Sequence, residues 1–393
     1  MKPARYIWAL NITRRCNLKC SYCYYNDLTD EGEMDDDTAA RAVQFALQNT
    51  PENSRADIGF FGREPLLRFD LIKQLMLSAA KNPGISFSLN TNGTLLNPEI
   101  LTFLEENRVK ISISVDGTRT EHDESRRVKN GGSSYNLLEK SLKGVVGYKP
   151  PVYARMTVTA GNADSFYENA VHIFNLGFKK IGFAYDLTDQ NWKKETYEAL
   201  RRSMDLFSVW YADAVIQGRE ISVPSFDSLA RGRRVPEEGL FCGAAKSLFC
   251  VDYDGTIYPC WRFAGDPSWK MGDIFNGFSC TPENHPFNKI RQQELGKCSG
   301  CAHKRYCGRC AWGSLKLDGD ACGISEVQCV TSKISIEAGL SACEKMISAG
   351  APIFLKRLEK MTAVSDGSDG FILTDGDTVF KIPEEELEKY RKK

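Results

Sequence analysis

Short apolar runs alternate with helix-period segments through the first half of the chain. Residues 5–12 read as a buried strand that opens the fold. Ala56 to Phe61, Ile85 to Leu89, Val109 to Val115, Val152 to Thr159 and Lys180 to Tyr185 read as five more. Helical patterns separate them. One is capped by Asp36 or Asp37 and runs to about Gln48; others cover Arg68 to Ala80, Pro98 to Glu106, 135–146 and 164–175. A long helix from about Lys193 to Ile216 closes this half. Strand and helix alternate about six times, which predicts the α/β class, with a parallel sheet and helices outside it. Such sheets carry their chemistry at the carboxyl ends of the strands.

After residue 217 the rhythm changes. Residues 218–241 are polar and basic (Arg219, Arg231, Arg233, Arg234) and are interrupted by Pro224 and Pro236. They read as a link with a solvated basic face, joining a domain over 1–217 to another over 242–345. The remainder, 346–393, reads as an appendage that packs and does not react. In it Phe371 to Phe380 forms a hairpin around Asp375-Gly376, and Pro383 begins a charged helix from Glu384 to Lys392.

Composition narrows the class. The chain has 393 residues, 42% hydrophobic and 26% charged, as expected of a globular protein with a sizeable core. Lys+Arg and Asp+Glu balance at 51 each, so no overall field gathers nucleic acid or an anionic membrane. Met1 to Lys19 holds only a seven-residue apolar run, Tyr6 to Ile12, before Arg14 and Arg15. That is too short for a secretory signal, and no run spans a membrane, so a cytoplasmic protein is expected. Only fifteen residues precede Cys16, so no separate recognition domain is expected ahead of it.

The fourteen cysteines are the strongest chemical signal. Three precede residue 24, none lies between 24 and 241, and eleven fall from Cys242 to Cys343. In an unsecreted chain such clustering favours metal sites over disulfides. Cys16, Cys20 and Cys23 stand at C-x3-C-x2-C, which supplies ligands to three of the four irons of a cubane. A cluster that only carries electrons takes four cysteines. An iron left open is a place for a further ligand, just as catalytic zinc keeps an open position. Zinc itself needs a fourth ligand nearby, and the first histidine is His122. The second group, Cys298-x2-Cys301-x5-Cys307-x2-Cys310, suits either zinc or iron–sulfur when taken alone.

The segment Cys16-Asn-Leu-Lys-Cys20-Ser-Tyr-Cys23 resembles the radical S-adenosylmethionine (radical SAM) superfamily. The resemblance implies that SAM chelates the open iron through its amino and carboxylate groups. One electron then splits the sulfonium into methionine and a 5′-deoxyadenosyl radical. Tyr22 matches the aromatic that packs beside the adenine. Gly62-Arg63-Glu64-Pro65 resembles the GGEP motif that holds the SAM amino group, with Arg63 in place of the second glycine, so that backbone must avoid positive φ. Asn90-Thr91-Asn92-Gly93, Ser114-Val115-Asp116-Gly117 and His122 to Arg126 resemble strand-end segments that line the SAM site. The implied cofactor-binding residues are Tyr22, Gly62, Glu64, Asn92, Ser114, Arg126 and Arg155. Ser114 and Arg126, or alternatively Arg155, are expected near the methionine carboxylate. His122 is expected to be structural.

Cys242, Gly255, Cys260 and the later cysteines resemble the SPASM extension, which binds two auxiliary 4Fe–4S clusters. Carried over, Cys298, Cys301, Cys307 and Cys329 hold the outer cluster. Cys242, Cys260 and Cys310 hold the inner one, with Cys250 as fourth ligand. Cys307 and Cys310 are separated by two residues where the pattern has three, and Cys322 is a rival for the place of Cys329 or Cys250. Cys280 and Cys343 are spare, Cys343 as core. The resemblance spans about 5–345. It implies a partial (β/α)6 barrel followed by a small cysteine-rich SPASM domain, with three 4Fe–4S clusters, SAM, and a reducing partner such as flavodoxin or ferredoxin. The expected activity is hydrogen abstraction from a ribosomal precursor peptide, giving a thioether or carbon–carbon cross-link. A rival is the sulfatase-maturase reaction, oxidation of Cys or Ser to formylglycine. Those enzymes carry an acidic residue directly after the cysteine that ends G-x4-C, where this chain has Trp261 and then Arg262. A rival of another class is a non-catalytic electron carrier or redox sensor.

Overall fold

A computed structural model describes residues 4–79, 82, 84–145, 147–231, 242–292, 296–362, 372–374 and 379–381. Its strands, in chain order, are β1 (Ala4–Asn11), β2 (Leu18–Cys20), β3 (Ser54–Phe61), β4 (Ile85–Thr91), β5 (Lys110–Ser114), β6 (Arg126–Val128), β7 (Tyr153–Val158) and β8 (Lys180–Tyr185). β9 (Leu248–Val251), β10 (Thr256–Tyr258), β11 (Gly272–Asp273) and β12 (Gly277–Phe278) follow. One sheet runs β12-β11-β10-β9-β1-β3-β4-β5-β7-β8. From β9 through β1 to β8 every pairing is parallel, and β9 to β12 are antiparallel. Helices α1 (Asp36–Gln48), α2 (Phe69–Ala79), α3 (Pro98–Glu106), α4 (Arg119–Ser125), α5 (Ser134–Val145), α6 (Phe166–Asn175) and α7 (Lys194–Ile216) supply the crossovers and outer layer. This is the partial barrel expected.

Burial alternates along the strands, and the alternation defines a lumen. Ile111, Ile113, Ala154, Met156 and Val158 are buried toward the helices, whereas Ser112, Ser114, Tyr153, Arg155 and Thr157 keep solvent access on the other face. The amino-terminal end of that lumen is plugged by Asp57. Its carboxylate accepts from Ser88 at 2.8 Å, Ser86 at 3.1 Å and Lys110 at 3.2 Å, and pairs with Arg5. Cys16, Glu64, Asn92 and Asp116 follow the carboxyl ends of β1, β3, β4 and β5.

Most element ends fall within two residues of the sequence reading, and two findings correct it. The cap of α1 is Asp35, whose side chain accepts from Thr38 N at 2.7 Å; Asp36 and Asp37 instead occupy the first turn, where the helix dipole favours them. The polar stretch after 217 is packed at its start. It contains α8 (Pro224–Asp227), with Val223 and Phe226 wholly buried. Asp227 there accepts from Tyr211 and Ser222 and pairs with Arg357 at 2.6 Å. Residues 232–241, including Arg233 and Arg234, lie outside the described residues.

The cysteine-rich half joins the barrel through β9, which adds parallel to β1 with Ile7 opposite Leu248 and Leu10 opposite Val251. It continues through α9 (Phe287–Gln292), α10 (Ala311–Asp318) and α11 (Glu326–Ser348) to α12 (Pro352–Thr362), a helix the sequence reading lacked. The hairpin survives as β13 (Ile372–Thr374) against β14 (Val379–Lys381), and the charged helix after Pro383 lies outside the described residues. Among the described residues no helix is long and apolar enough to cross a membrane.

Candidate active site

The loop after β1 carries Cys16, Cys20 and Cys23 at the carboxyl end of the barrel. β2 pairs with β6 so that Cys20 faces Arg126. Leu18 N donates to Cys16 Sγ at 3.3 Å, and the Asn92 side-chain amide approaches the same sulfur at 3.8 Å. Asn92 also donates to Asn17 Oδ1 at 2.8 Å, and Asn17 to Thr94 Oγ1 at 2.8 Å. The three thiols lie within electrostatic reach of one another. Burial pushes Cys16 up to about 11 and Cys20 up to about 12, so both are thiols at neutral pH until a metal displaces the proton. Among the described residues no three Cys, His, Asp or Glu donors converge as for a single metal ion. The donor chemistry nevertheless fits a cluster: three adjacent soft thiols, with N–H groups aimed at sulfur.

Glu64 sits beside them, wholly buried, and accepts from Leu66 N (3.1 Å), Thr91 Oγ1 (2.7 Å) and Asn92 N (2.8 Å). Burial outweighs these donors and pushes its carboxyl up to about 7. Gly62 has φ 115°, and a Cβ there would stand 2.3 Å from Thr13 O, so only glycine fits. Arg63 avoids positive φ, as its side chain requires. Its guanidinium clamps Tyr25 O and Leu28 O, both at 2.6 Å, and so pins the end of the cysteine loop.

Asp116 organises the opposite wall. Arg126 donates to it twice, at 2.9 and 3.1 Å, Thr157 N donates at 2.9 Å, and the Tyr22 hydroxyl closes on the same carboxylate. Arg126 lies 5.3 Å from the Tyr22 ring centroid. The arginine expected beside a cofactor carboxylate thus already meets a carboxylate of the chain, and it holds Tyr22. Arg155, the other candidate, opens into the lumen next to Ser114 on the paired strand. Burial among protein atoms, with Arg262 and Arg126 nearby, holds its pKa below the usual value. His122 is wholly buried, accepts from Asp116 N at 3.4 Å and is pushed down to about 4, a neutral structural imidazole.

Beside the cysteine loop, Trp261 and Arg262 form a packed group with partners that the sequence did not disclose. Arg262 lies 4.9 Å from the Trp312 ring and 5.4 Å from the Tyr24 ring, and Trp261 stacks on Phe61 at 4.7 Å. The signal available was position: Tyr24 follows Cys23, and Arg262 follows Cys260 by two.

The later thiols form two neighbourhoods. Cys307 feels Cys329, Cys298 and Cys301. Cys260 feels Cys310 and Cys242. Cys250 is wholly buried on β9 and feels Cys260, whereas Cys322 lies beside Asp320 and Arg309. Cys310 is pinned by two hydrogen bonds of 2.9 Å between its backbone and the Gln328 amide. Cys343 is core, and its thiol donates to Phe226 O.

Comparison with known proteins agrees with this geometry. Residues 10–174 match the model of the radical SAM superfamily. A cysteine-type anaerobic sulfatase-maturating enzyme of Clostridium perfringens is 28% identical over 74% of this chain and 84% of its own. An uncharacterised protein of Methanocaldococcus jannaschii is 33% identical over 76% of this chain and 94% of its own. The solved structure of native anSMEcpe with bound AdoMet and Cp18Cys peptide superposes with TM-score 0.70 at 21% identity, covering 90% of this chain and 99% of that one. With the three thiols, the buried glutamate and the barrel in place, the chain belongs to the radical SAM superfamily, whose members use a 4Fe–4S cluster and SAM.

Proposed function

We propose that this protein is a radical SAM peptide maturase that removes a hydrogen atom from a precursor peptide and forms a thioether or carbon–carbon cross-link. When bound, the cluster and SAM supply a 5′-deoxyadenosyl radical that takes the hydrogen. The chain supplies everything around that event. Cys16, Cys20 and Cys23 hold three irons. Glu64 and the backbone at Gly62 receive the SAM amino group, with Asn92 bracing Cys16. Tyr22, held by Asp116 and Arg126, offers its ring to the adenine, and Ser114 with Arg155 meets the methionine carboxylate. Trp261 on Phe61 shields the lumen from water. Cys298, Cys301, Cys307 and Cys329 hold an outer auxiliary cluster. Cys242, Cys260 and Cys310, with Cys250 completing the set, hold an inner one. A flavodoxin or ferredoxin supplies the electron in the cytoplasm, and nucleic acid plays no part.

The observation that carries this reading is the trio of neighbouring thiols beside buried Glu64 at the carboxyl end of the barrel. A second reading, sulfatase maturation, is favoured by the C. perfringens relative. Against it stands Trp261, packed on Phe61 where a proton-accepting carboxylate is expected. Protein reconstituted without oxygen and given dithionite and SAM is expected to release 5′-deoxyadenosine and to hold about twelve irons per chain. Cys16→Ala, Cys20→Ala and Cys23→Ala should each abolish that release; release that persists in any of them removes the site. Conversion of a sulfatase-derived cysteine peptide to formylglycine would decide for the second reading.

A further inference from the structure

The lumen holds two guanidinium groups that no carboxylate of the described chain answers. Asp116 takes Arg126, but no ion pair is formed by Arg155 or Arg262 among the described residues. They share a neighbour in Tyr24, and Arg262 acts on Arg155 by repulsion. Like charges gathered in a partly desolvated lumen are unfavourable unless an anion arrives to separate them. SAM brings one carboxylate. Arg155 stands against Ser114 on the SAM side of the barrel, so that carboxylate has its place. A second cation is left over.

Arg262 is built to be held still. Its side chain rests on Trp312 and Tyr24, and those rings meet edge to face at 6.1 Å. A guanidinium stacked on aromatic faces keeps its fork of donors free, and little rotamer freedom is left to lose on binding. Through Tyr24 it adjoins the loop of Cys23, beside the thiols proposed to hold the cluster that SAM binds. We propose that Arg262 is the substrate anchor of this site, receiving a carboxylate of the peptide: an Asp or Glu side chain, or a terminal carboxylate, next to the residue attacked. This rests on the lumen being the active site, and it makes the preferred substrate an acidic peptide.

The test uses the full-length reconstituted protein without oxygen, with calorimetric titration of three probes: Ac-Ala-Ala-Glu-Ala-Ala-NH2, its Gln twin, and SAM. Wild type is expected to bind the Glu peptide about tenfold more tightly than the Gln peptide, the value of one charge-assisted fork. Arg262→Gln should erase that preference, and Arg262→Lys should keep part of it, because lysine retains the charge and loses the fork. Iron content checks that both variants are folded, and SAM affinity should stay the same in both. Equal binding of the two peptides by wild type overturns the proposal, as does a preference that survives Arg262→Gln. A fall in SAM affinity in Arg262→Gln would assign the arginine to the cofactor and overturn it too. The same preparations report 5′-deoxyadenosine: its absence alongside an intact Glu preference condemns the radical reading and leaves the anchor standing.

Discussion

The barrel half and the cysteine-rich half hold their thiols by different means. In the barrel, Cys16 and Cys20 flank a strand pairing, sulfur receives backbone N–H, and Asn17, Asn92 and Thr94 brace the loop from β4. The continuous apolar core of Trp8, Leu10, Ile58 and Phe60 lies directly beneath. In the second half, Cys298 and Cys307 adjoin single 3-10 turns, Gly296–Cys298 and Lys304–Tyr306. The main core continues into this half through Phe263, Phe287, Trp312 and Ile334, with Cys260 and Cys310 packed on it, but Cys307 packs instead on a small separate cluster of Leu229, Tyr306 and Ile336. Outer loops with so little apolar burial would depend on the proposed auxiliary cluster for order, as small metal-bound domains do. The barrel does not.

That contrast sets the largest expected effect. Replacing Cys298 and Cys329 together by Ser should remove about four of about twelve irons. It should also open residues 296–310 to protease while the barrel stays resistant. Limited digestion with mass spectrometry, beside iron analysis, reads both. Equal protection of the two halves in the variant would mean that turns and side chains alone order the outer loops.

The halves meet at a buried joint, and the next effect lies there. Arg14, two residues before Cys16, pairs with Asp252 in the β9–β10 turn and with Asp30 at 2.5 Å, and lies 4.8 Å from the Tyr253 ring. Asn11 donates to Asp252 as well. Removing one partner of a buried ion pair costs about 3–5 kcal/mol, and here toward the low end because Asp30 remains. Asp252→Ala should therefore lower the urea midpoint of a single transition, since β9 and β1 share a sheet. Two separate transitions would show that the halves fold independently.

How much of this the sequence disclosed follows from the range of each interaction. Pro98–Glu106 and Lys180–Tyr185 have the bounds read from sequence, because periodicity, an Asn97 cap and flanking polar residues act within a few positions. The stretch around Val223 and Phe226 misled, because its polar composition hides two side chains that enter the core. β9 against β1 is a four-residue pairing across more than two hundred positions, and local pattern carries no trace of it. The same holds for the site. Cys16, Cys20 and Cys23 were legible from their spacing, and Glu64 through the resemblance of its segment to the GGEP motif, whereas Arg262 over Tyr24 and Trp312 joins three distant segments.

The smallest effect sharpens the contrast from the barrel side, through the protonation of Glu64. Its carboxyl is raised by burial from 4.5 to about 7, against three donors that favour the ionised form. Between those values the folded chain keeps a proton that the unfolded chain has released. The stability Glu64 contributes therefore falls as pH rises from about 4.5 to 7. Binding of an amino group runs the other way, since the ionised carboxylate is the better acceptor for its N–H groups. SAM affinity should thus climb with pH up to about 7, by at most about tenfold per pH unit, and flatten beyond it. Glu64→Gln should bind SAM more weakly and lose this slope, since its amide does not titrate. Calorimetric titrations at pH 6, 7 and 8 with both proteins decide the matter. If Glu64→Gln keeps the wild-type slope, the proton belongs to another group, and the buried glutamate is a brace for the β3 and β4 turns with no direct part in holding the cofactor.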